Sequence, residues 1–491
     1  MSKLDSLIVL VDSMDTAEKR YFQLNTKMHE GKKDYQMLFD LILQSGMTPE
    51  LIKNKFKKQK SDASFEITCN HLYHSLLNKL SAKDAQKEVE FQVLKAYQQA
   101  RFLFSRNLYN DAFQFIEKYK TIALEYELFS PFLLLAKLEI RFYNQLDFNE
   151  VDENILVKLQ SKIESVSRQQ RAIENHTGLY NLISIRQIKQ GTIRNEAEKE
   201  KLNDLAFNEL QAISGQLKNS FEAQKLHLLF QSAYFMKTAN PKSSLKVYSE
   251  LNELFENNRK LWGNPPYFYL NHLKGILNNL RWFGKYDEMP FFIDKMKTLQ
   301  PEQNSGKYFI QSLIYLFDSL ILTDQEKYPE SLLHLEKQGT EIFEKCSSLP
   351  FTLRTELTLQ IATVYFWNKE YKKALRIIRP LLNVGKPFLQ LPQIKTIRFL
   401  NILIHYELSD FDYLDSEIRS FGRDLVKRNK LFKSEEIILK GIKLCSKESD
   451  HQKKIRNLKI QIEKLNQLKS DPFENQLLKT FGFMEWFESR L

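Results

Sequence analysis

The amino-acid sequence predicts an all-α protein built from helical hairpins that stack into a solenoid. Glycine and proline occur only 14 and 13 times in 491 residues, well below their usual shares of about 7% and 5%. Apolar residues recur at helical spacing along the chain, and the alternation typical of strands is almost absent. A pattern that recurs every 39 to 48 residues favours a repeat architecture over unrelated helical bundles.

The first segment, residues 1–85, is predicted to form an atypical N-terminal helical cap. Asp15 and Glu18 stand three residues apart before an apolar run, which is the spacing of a capping box. Thr48-Pro49-Glu50 predicts a second helix start, because proline is favoured at the first helical position. Only Tyr35 gives this segment a faint aromatic anchor of the kind found further along the chain.

The repeat is clearest around Tyr371, which begins the sequence Tyr-Lys-Lys-Ala. Tyr365 and Phe366 precede it, and Ile378 follows it at helical spacing. An aromatic residue at the start of a second helix packs back on the first helix, and a small residue such as Ala374 lets two helices approach closely. Related patterns have their anchors at Tyr109, Phe148, Ile193, Pro241, Tyr286, Tyr328, Tyr371 and Phe411.

These roles are those of the helix–turn–helix unit of a tetratricopeptide (TPR) repeat, so residues 86–422 are predicted to form a TPR-like array. The spacing exceeds the roughly 34 residues of a minimal TPR unit, which indicates longer helices or turns. One helical pair cannot bury its apolar stripe alone. Stacked pairs are therefore expected to bury a continuous core and to wind into a right-handed superhelix.

Residues 423–491 are predicted to form a basic helical segment that ends in an aromatic cap. Between residues 423 and 470 the sequence has 14 Lys and Arg against 6 Asp and Glu. Phe481, Phe483, Trp486 and Phe487 follow within a short stretch. This aromatic cluster is interpreted as a helix that covers the open end of the solenoid, and the alternative interpretation is a docking motif.

Several short stretches resemble a family of uncharacterised bacterial TPR-like proteins. The resemblance covers roughly the first 140 residues, and His71 departs from it because an aromatic residue is expected there. It implies a helical-repeat fold in the bacterial cytoplasm and brings no known activity. The stretches are Ala17-Glu18-Lys19-Arg20-Tyr21-Phe22, Asp34-Tyr35, Leu38-Phe39-Asp40, Asn70 to Leu77, Leu108 to Ala112 and Tyr126-Glu127-Leu128-Phe129.

Composition favours a soluble cytoplasmic protein. Cys69, Cys346 and Cys445 are odd in number and far apart, which is typical of unpaired thiols in a reducing compartment. The apolar run from Leu7 to Val11 is too short for a signal peptide, and no run reaches the length of a membrane span. The net charge of +11 favours acidic partners.

The sequence indicates no catalytic, cofactor or metal residues. Cys69, His71 and His74 lie close in sequence, but on a helix the cysteine points away from the face that His71 and His74 share. Two ligands on one face do not complete a zinc site. No phosphate-binding loop, dinucleotide fingerprint or zinc-protease motif occurs. The protein is therefore expected not to be an enzyme.

Two basic regions offer an alternative in which the protein contacts nucleic acid. Five lysines surround Phe56 between Lys53 and Lys60, and basic runs with interleaved aromatics are typical of nucleic-acid binding. A solvated helix end explains the same run. The surplus at 423–470 is longer, but acidic residues are mixed into it and aromatics are nearly absent.

The leading hypothesis is a non-catalytic scaffold that binds a protein or peptide in the concave groove of the array, without membrane insertion. Lys274, Asn278 and Arg281 share one helix face by their spacing, and cations beside aromatics suit an acidic peptide. An ordinary polar helix face is the competing interpretation. The alternative function is a regulatory or nucleic-acid-associated protein that binds through the basic C-terminal region. The predicted groove residues are Lys274, Asn278, Arg281, Thr363, Trp367 and Tyr406.

Overall fold

A computed structural model confirms the all-α prediction. Every regular element among the residues that it describes is helical, and none of them forms a strand. These residues are 2–27, 34–44, 48–60, 63–84, 88–149, 151–190, 193, 195–213, 220–262, 266–301, 304–385, 388, 391–427, 432–448 and 450–491.

The chain divides into two compact units, which differ from the predicted segments. Unit 1 consists of the described residues up to Arg171, with residue 301 and residues 304–307. Unit 2 consists of the described residues of 172–262, 266–300 and 308–491. Neither predicted boundary, at 85/86 or at 422/423, coincides with the division between the units.

In chain order, the helices that begin in unit 1 before residue 171 are α1 (Lys3–Ser13), α2 (Thr16–Lys27), α3 (Asp34–Leu43), α4 (Pro49–Gln59), α5 (Phe65–Asp84), α6 (Val89–Ser105), α7 (Tyr109–Glu125), α8 (Phe129–Gln145) and α9 (Glu153–Gln190). Helix α9 continues into the residues of unit 2.

The remaining helices are α10 (Glu196–Glu200), α11 (Asn203–Ile213), α12 (Phe221–Lys237), α13 (Pro241–Asn257), α14 (Tyr267–Trp282), α15 (Met289–Thr298), α16 (Asn304–Asp324), α17 (Tyr328–His334), α18 (Thr340–Glu344), α19 (Phe351–Trp367), α20 (Tyr371–Leu382), α21 (Pro392–Glu407), α22 (Phe411–Lys427), α23 (Lys433–Lys447), α24 (His451–Leu468), α25 (Asn475–Leu478) and α26 (Phe483–Glu488). A π-helical stretch, Leu335–Gly339, joins α17 to α18, and three-residue 3₁₀ turns occur at Arg259–Leu261, Tyr286–Glu288 and Cys346–Ser348.

Both predicted helix starts in the N-terminal segment are confirmed. The Asp15 carboxylate accepts a hydrogen bond from the backbone N–H of Glu18, and the Glu18 carboxylate accepts one from the N–H of Asp15. This reciprocal pair is the capping box. Thr48 caps α4 through its hydroxyl, with Pro49 at the first helical position.

One turn recurs between successive helices in both units. In each copy a residue with positive φ ends the first helix, and the N–H of the next residue bonds to the carbonyl five positions earlier. That geometry is the Schellman motif, which satisfies carbonyls left free at a helix end. The positive-φ residues of these copies include Asn107, Glu127, Ala239, Gly284, Glu326, Lys369 and Ser409.

Six of the predicted anchors lie two residues after such a turn. These are Tyr109, Pro241, Tyr286, Tyr328, Tyr371 and Phe411. The residue three positions after each of these anchors has no exposed surface, namely Ala112, Ser244, Met289, Ser331, Ala374 and Leu414. The helical-hairpin pattern is therefore present at all six positions, with a buried residue at each helix crossing.

The anchors predicted at Phe148 and Ile193 are wrong. Phe148 lies in a turn, but the helix after it is α9, which runs for 38 residues without an intervening hairpin. Ile193 lies between helices and is buried. No proline interrupts the sequence of α9, and its one glycine, Gly178, is accommodated within the helix. The sequence spacing was therefore misread here as two further repeats.

The buried apolar residues form separate clusters. One cluster draws only on residues from Leu4 to Leu76, within the predicted N-terminal cap. The largest cluster runs from Phe221 to Phe487 and continues across the predicted boundary at 422/423. Within it, α19 and α21 are buried on nearly all sides, and this burial determines the surroundings of several predicted groove residues.

Candidate protein-binding surface

The two cations of the predicted groove are paired with carboxylates of the protein itself. The Lys274 Nζ lies 2.7 Å from an Oε of Glu356. Arg281 donates two hydrogen bonds to Asp324, with Nε–Oδ2 and Nη2–Oδ1 distances of 2.6 and 2.9 Å. The Tyr286 hydroxyl donates to the same carboxylate at 3.2 Å. These cations therefore already hold the kind of group that the predicted acidic peptide would supply.

The polar and aromatic groove residues are also engaged within unit 2. The Thr363 side chain is buried, and its hydroxyl donates to the Leu359 carbonyl at 2.8 Å. Asn278 is partly buried on the helix that contains Lys274 and Arg281. The Trp367 ring stacks between Tyr328 and Phe481, with centroid separations of 5.1 and 5.6 Å.

Residues 471–491, here called the C-terminal segment, cover this region. Tyr406 meets the Trp486 ring edge-on at 5.1 Å. The Trp486 indole N–H donates to Glu407 at 2.7 Å, and Arg490 donates to the same carboxylate. Phe483 packs on Phe399, and all four predicted cap aromatics are buried. The aromatic cluster therefore lies in the core over α19 and α21.

The C-terminal segment is also tied to the start of α23. The Glu474 carboxylate accepts hydrogen bonds from the backbone N–H groups of Lys433 and Ser434 at 3.0 and 2.8 Å. It thereby satisfies donors that a helix N-terminus leaves free, and its negative charge complements the helix dipole. The Phe487 ring lies over Gly441 in the same helix. As a result, the six predicted groove residues do not form one open surface.

A different surface stands out in unit 1, on helices α6 and α8. These helices are joined through α7 by short turns, so each runs antiparallel to α7 and the two run in the same direction. Phe104 of α6 stacks on Phe142 of α8 with a centroid distance of 3.7 Å, which brings the two helices side by side. Glu139 of α8 is buried against Lys120 of α7 at 2.6 Å.

Both helices expose a stripe on the side away from α7. In α6 the buried residues are Val93, Ala96 and Ala100, which share one face. The large apolar side chains on the opposite face of α6 are exposed to solvent, and so is Leu134 on α8. Their exposed fractions are 46% for Phe91, 38% for Leu94, 60% for Phe102 and 46% for Leu134.

Cations surround these apolar side chains. These cations are Lys95 and Arg101 of α6 and Lys137 and Arg141 of α8. None of the four makes an ion pair with any residue in the part of the chain that the structure describes. From Phe91 to Ser105 the sequence of α6 contains no carboxylate, and the single carboxylate of α8 is the buried Glu139. The α6–α8 face is defined as Phe91, Leu94, Lys95, Arg101 and Phe102 of α6 with Leu134, Lys137 and Arg141 of α8.

This face combines the two properties of a binding surface that the predicted groove lacks. Its apolar groups are accessible, and its positive charges make no ion pair with the described residues, whereas Lys274 and Arg281 are neutralised by carboxylates. Sequence reasoning missed it because α6 was interpreted only as the first helix of a repeat. The available signal was the pair Phe91 and Phe102, which fall opposite the alanines that form the core side of α6.

The other candidate residues from the sequence are explained by packing in the core or by ordinary exposure to solvent. Phe56 is fully buried, while the lysines around it are exposed, as a solvated helix face requires. Cys69 is buried, and burial raises the pKa of its thiol to about 11. The His71 ring packs on Tyr35 at 4.8 Å. In the described part of the chain, no group of three or more His, Cys, Asp and Glu residues could hold a metal ion.

The basic C-terminal helices present cations without exposed aromatics. Lys440 and Lys447 pair with Glu436 and Asp415. Exposed cations of α23 and α24 that lack an ion pair to any described residue are Lys433, Lys443, Arg456, Lys459 and Lys464. No described helix has the length and apolar character needed to span a membrane.

No protein-family model matches the chain, and a search of curated proteins found no match. The resemblance of the N-terminal 140 residues to bacterial TPR-like proteins therefore stays a prediction, and the function has to be argued from the surfaces themselves.

Proposed function

We propose that this protein is a non-catalytic scaffold that binds a protein partner through the α6–α8 face. The observation that carries the proposal is the combination of four exposed apolar side chains with four cations that make no ion pair to any described residue, on a face whose eight residues include no carboxylate. Exposed apolar surface rimmed by polar groups is typical of a protein interface. A few aromatic and arginine anchors supply most of the affinity in such interfaces.

The proposal also covers the type of helical repeat and the cellular compartment of the protein. The recurring Schellman turns and the buried residue after each of six anchors support a TPR-like right-handed solenoid. The three free cysteines support a reducing cytoplasm. In this proposal the six residues first predicted as a groove stabilise unit 2 through their internal pairs, and the partner surface lies in unit 1.

A second candidate function is nucleic-acid binding through α23 and α24. The observation that favours it is the set of five exposed cations that lack an ion pair to any described residue. Phosphate contacts of this kind release counterions, so the affinity would fall steeply with salt. The absence of exposed aromatics on these two described helices leaves no platform for base stacking.

The test is affinity capture of the tagged full-length protein from its native cells, with and without nuclease, quantified by mass spectrometry. The face variant combines Phe102→Ala with Arg141→Glu. The C-terminal variant combines Lys443→Glu with Arg456→Glu. Phe291→Ala is the matched control, because Phe291 is 61% exposed in unit 2, outside the face. Circular dichroism checks that each variant keeps its helical content.

We expect wild type, Phe291→Ala and the C-terminal variant to capture the same defined set of proteins in equal amounts. This capture should persist after nuclease treatment. With the face variant, the recovery of these captured proteins should fall about ten-fold or more, as it does when an interface anchor is lost. Equal capture by the face variant would refute the proposal. Capture that is lost with nuclease and with the C-terminal variant would instead assign the function to nucleic-acid binding.

A further inference from the structure

We propose that the partner segment on the α6–α8 face is an acidic amphipathic helix of about three turns. This inference rests on the proposed function and names the chemistry of its partner. It follows from three properties of the face: how its backbone is satisfied, how its apolar side chains are spaced, and which charges surround them.

The backbone of the face offers nothing to an extended peptide. Strand addition depends on free N–H and C=O groups along an edge, whereas the interiors of α6 and α8 use these groups within the helices. Recognition has to come from side chains alone. An amphipathic helix supplies side chains from a self-satisfied backbone, and it can lie along two parallel helices as a further packed helix.

The apolar side chains have helical spacing and a defined length. Phe91, Leu94 and Phe102 are separated by three and eight residues and share one side of α6. The twelve residues of helix from Phe91 to Phe102 span about 16 Å, because each of the eleven steps rises about 1.5 Å. Leu134 is a further exposed apolar side chain, on the neighbouring helix α8. A partner helix of about three turns, with apolar residues at i, i+3 or i+4, and i+7, matches this extent.

The charges favour a partner with Asp and Glu beside its apolar seam. Lys95, Arg101, Lys137 and Arg141 are exposed. No carboxylate occurs between Phe91 and Ser105 of α6, and the single carboxylate of α8 is the buried Glu139. Arginine binds carboxylates in a bidentate geometry, and complementary charges steer association and select the partner. A basic amphipathic helix would place like charges together on the same face.

A nucleic acid fits this face less well. Four large apolar side chains stand among the cations, and two of them are leucines, which give no stacking platform for bases. The experiment below separates the two classes directly.

The test places a photoreactive benzoylphenylalanine at Gln98 of the full-length protein in its native cells. Gln98 is exposed on the same side of α6 as Phe91 and Phe102, and it is not one of the eight face residues. The matched control carries the same photoreactive residue at Lys459 on α24, a position that is also exposed to solvent. After irradiation, mass spectrometry identifies the cross-linked partner segment, and that segment is synthesised as a peptide.

We expect Gln98→benzoylphenylalanine to cross-link one protein segment that has helical apolar spacing and a net negative charge. The synthetic peptide should bind the full-length protein in fluorescence anisotropy. Replacing its Asp and Glu residues by Asn and Gln, or using Arg141→Gln in the protein, should raise the Kd about ten-fold.

Three results would overturn the inference. Cross-links to nucleotides, to a basic segment or to a segment without helical spacing would exclude an acidic amphipathic helix. No cross-link at Gln98, while capture still depends on Phe102 and Arg141, would exclude a helix seated across the face but leave the proposed function standing. No cross-link together with capture that is indifferent to both residues would refute the proposed function itself.

Discussion

At the scale of single residues, the recurring turn is built mostly from side-chain-bearing residues in a conformation that favours glycine. Glu326 and Lys369 have φ values of 58° and 63°, and only Gly284, at 68°, is a glycine among these turns. A left-handed conformation costs a residue with a Cβ roughly 1–2 kcal/mol. The turns are therefore imposed by the packing of the helices that they join.

We predict that Glu326→Gly raises the free energy of unfolding of unit 2 by about 0.5–1 kcal/mol, since relief of strain exceeds the added entropy of the unfolded chain. Gly284→Ala should lower it by about 1 kcal/mol. A Cβ at position 284 would meet no atom closer than 4.0 Å, so its effect reports backbone strain alone. Urea unfolding followed by tryptophan fluorescence measures both, because all four tryptophans lie in unit 2.

A matched control is Glu330→Gly, an exposed position inside α17, which should lose about 1 kcal/mol because glycine is a poor helix former. If Glu326→Gly were as destabilising as Glu330→Gly, the strain argument for the turn would be wrong.

The Glu256 carboxylate gives unit 2 a predictable acid sensitivity. It accepts hydrogen bonds of 2.6 Å from Lys295, Tyr269 and Arg259, which joins α13 to α14 and α15. Burial alone would raise its pKa, but these hydrogen bonds lower it to about 2 from an ordinary value of 4.5. Because the folded pKa lies below the unfolded one, its stabilisation is present above about pH 4.5 and is lost as the pH falls towards 2.

We predict that Glu256→Gln lowers the free energy of unfolding of unit 2 by about 1–2 kcal/mol near pH 6, since solvent screens part of these ion pairs, and that this difference from wild type shrinks steadily below pH 4.5. Unfolding curves at several pH values between 2 and 6, followed by tryptophan fluorescence, measure the difference. A difference that stayed constant over this range would show that the Glu256 charge is not responsible.

Sequence reasoning reached part of this residue scale. It located Tyr371 and Ala374 because an aromatic anchor and a small crossing residue leave a pattern within one hairpin. It did not find the partners of Lys274 and Arg281, because Glu356 and Asp324 lie 82 and 43 residues further along the sequence. Pairing over such distances depends on how the helices pack, and helical spacing along one element contains no information about it.

At the scale of elements, the C-terminal segment is the clearest case of a close approach that needs glycine. A Cβ at Gly441 of α23 would lie 2.5 Å from the Phe487 ring, whereas a Cβ at Gly422 of α22 would have nothing within 4 Å. Both glycines lie within helices of unit 2, so they differ in tertiary contact and share the same secondary structure.

We predict opposite effects of the same substitution at these two sites. Gly441→Ala should destabilise unit 2 by about 1–3 kcal/mol, because overpacking against Phe487 outweighs the gain in helix propensity. Gly422→Ala should stabilise it by up to about 1 kcal/mol, through helix propensity alone. Chemical unfolding of each variant measures both. Stabilisation by Gly441→Ala would mean that Phe487 does not pack closely on α23.

The sequence predicted that the closing aromatics form a cap, and it predicted basic helices before them. It could not predict that the cap would cover α19 and α21, because apolar residues are spread around those helices and leave little amphipathic pattern. The same reason explains the misjudged surroundings of Trp367 and Tyr406. A helix with a single polar face indicates where solvent lies, and these two helices have no such face.

At the scale of the whole molecule, the all-helical class was predictable because it depends on composition and local periodicity. The hairpin repeat was predictable at six anchors, where the turn and the crossing residue are close in sequence. It failed between residues 148 and 193, where α9 replaces two expected hairpins. The α6–α8 face was not predicted, because recognising it requires knowing which sides of two neighbouring helices remain uncovered.

The distribution of charge also differs from the prediction at this scale. The surplus of Lys and Arg between residues 423 and 470 indicated the basic C-terminal region as the nucleic-acid contact of the alternative function. Some of its lysines pair with nearby carboxylates, and its remaining exposed cations have no exposed aromatic side chains beside them. The cations of the α6–α8 face lie among large exposed apolar side chains. The combination of charge with accessible apolar surface therefore matters more than total charge for choosing a binding surface.

The position of Trp486 has a consequence for how the protein is made. Its indole bonds to Glu407, a residue 79 positions earlier. At about 5–20 residues per second, a ribosome needs roughly 4–16 s to synthesise that interval. During this time α21 has formed, but the aromatic side chains that cover it do not yet exist. The nascent chain therefore exposes an apolar surface that is prone to aggregation. The yield of folded protein should depend on chaperones that cover this surface until Trp486 leaves the exit tunnel.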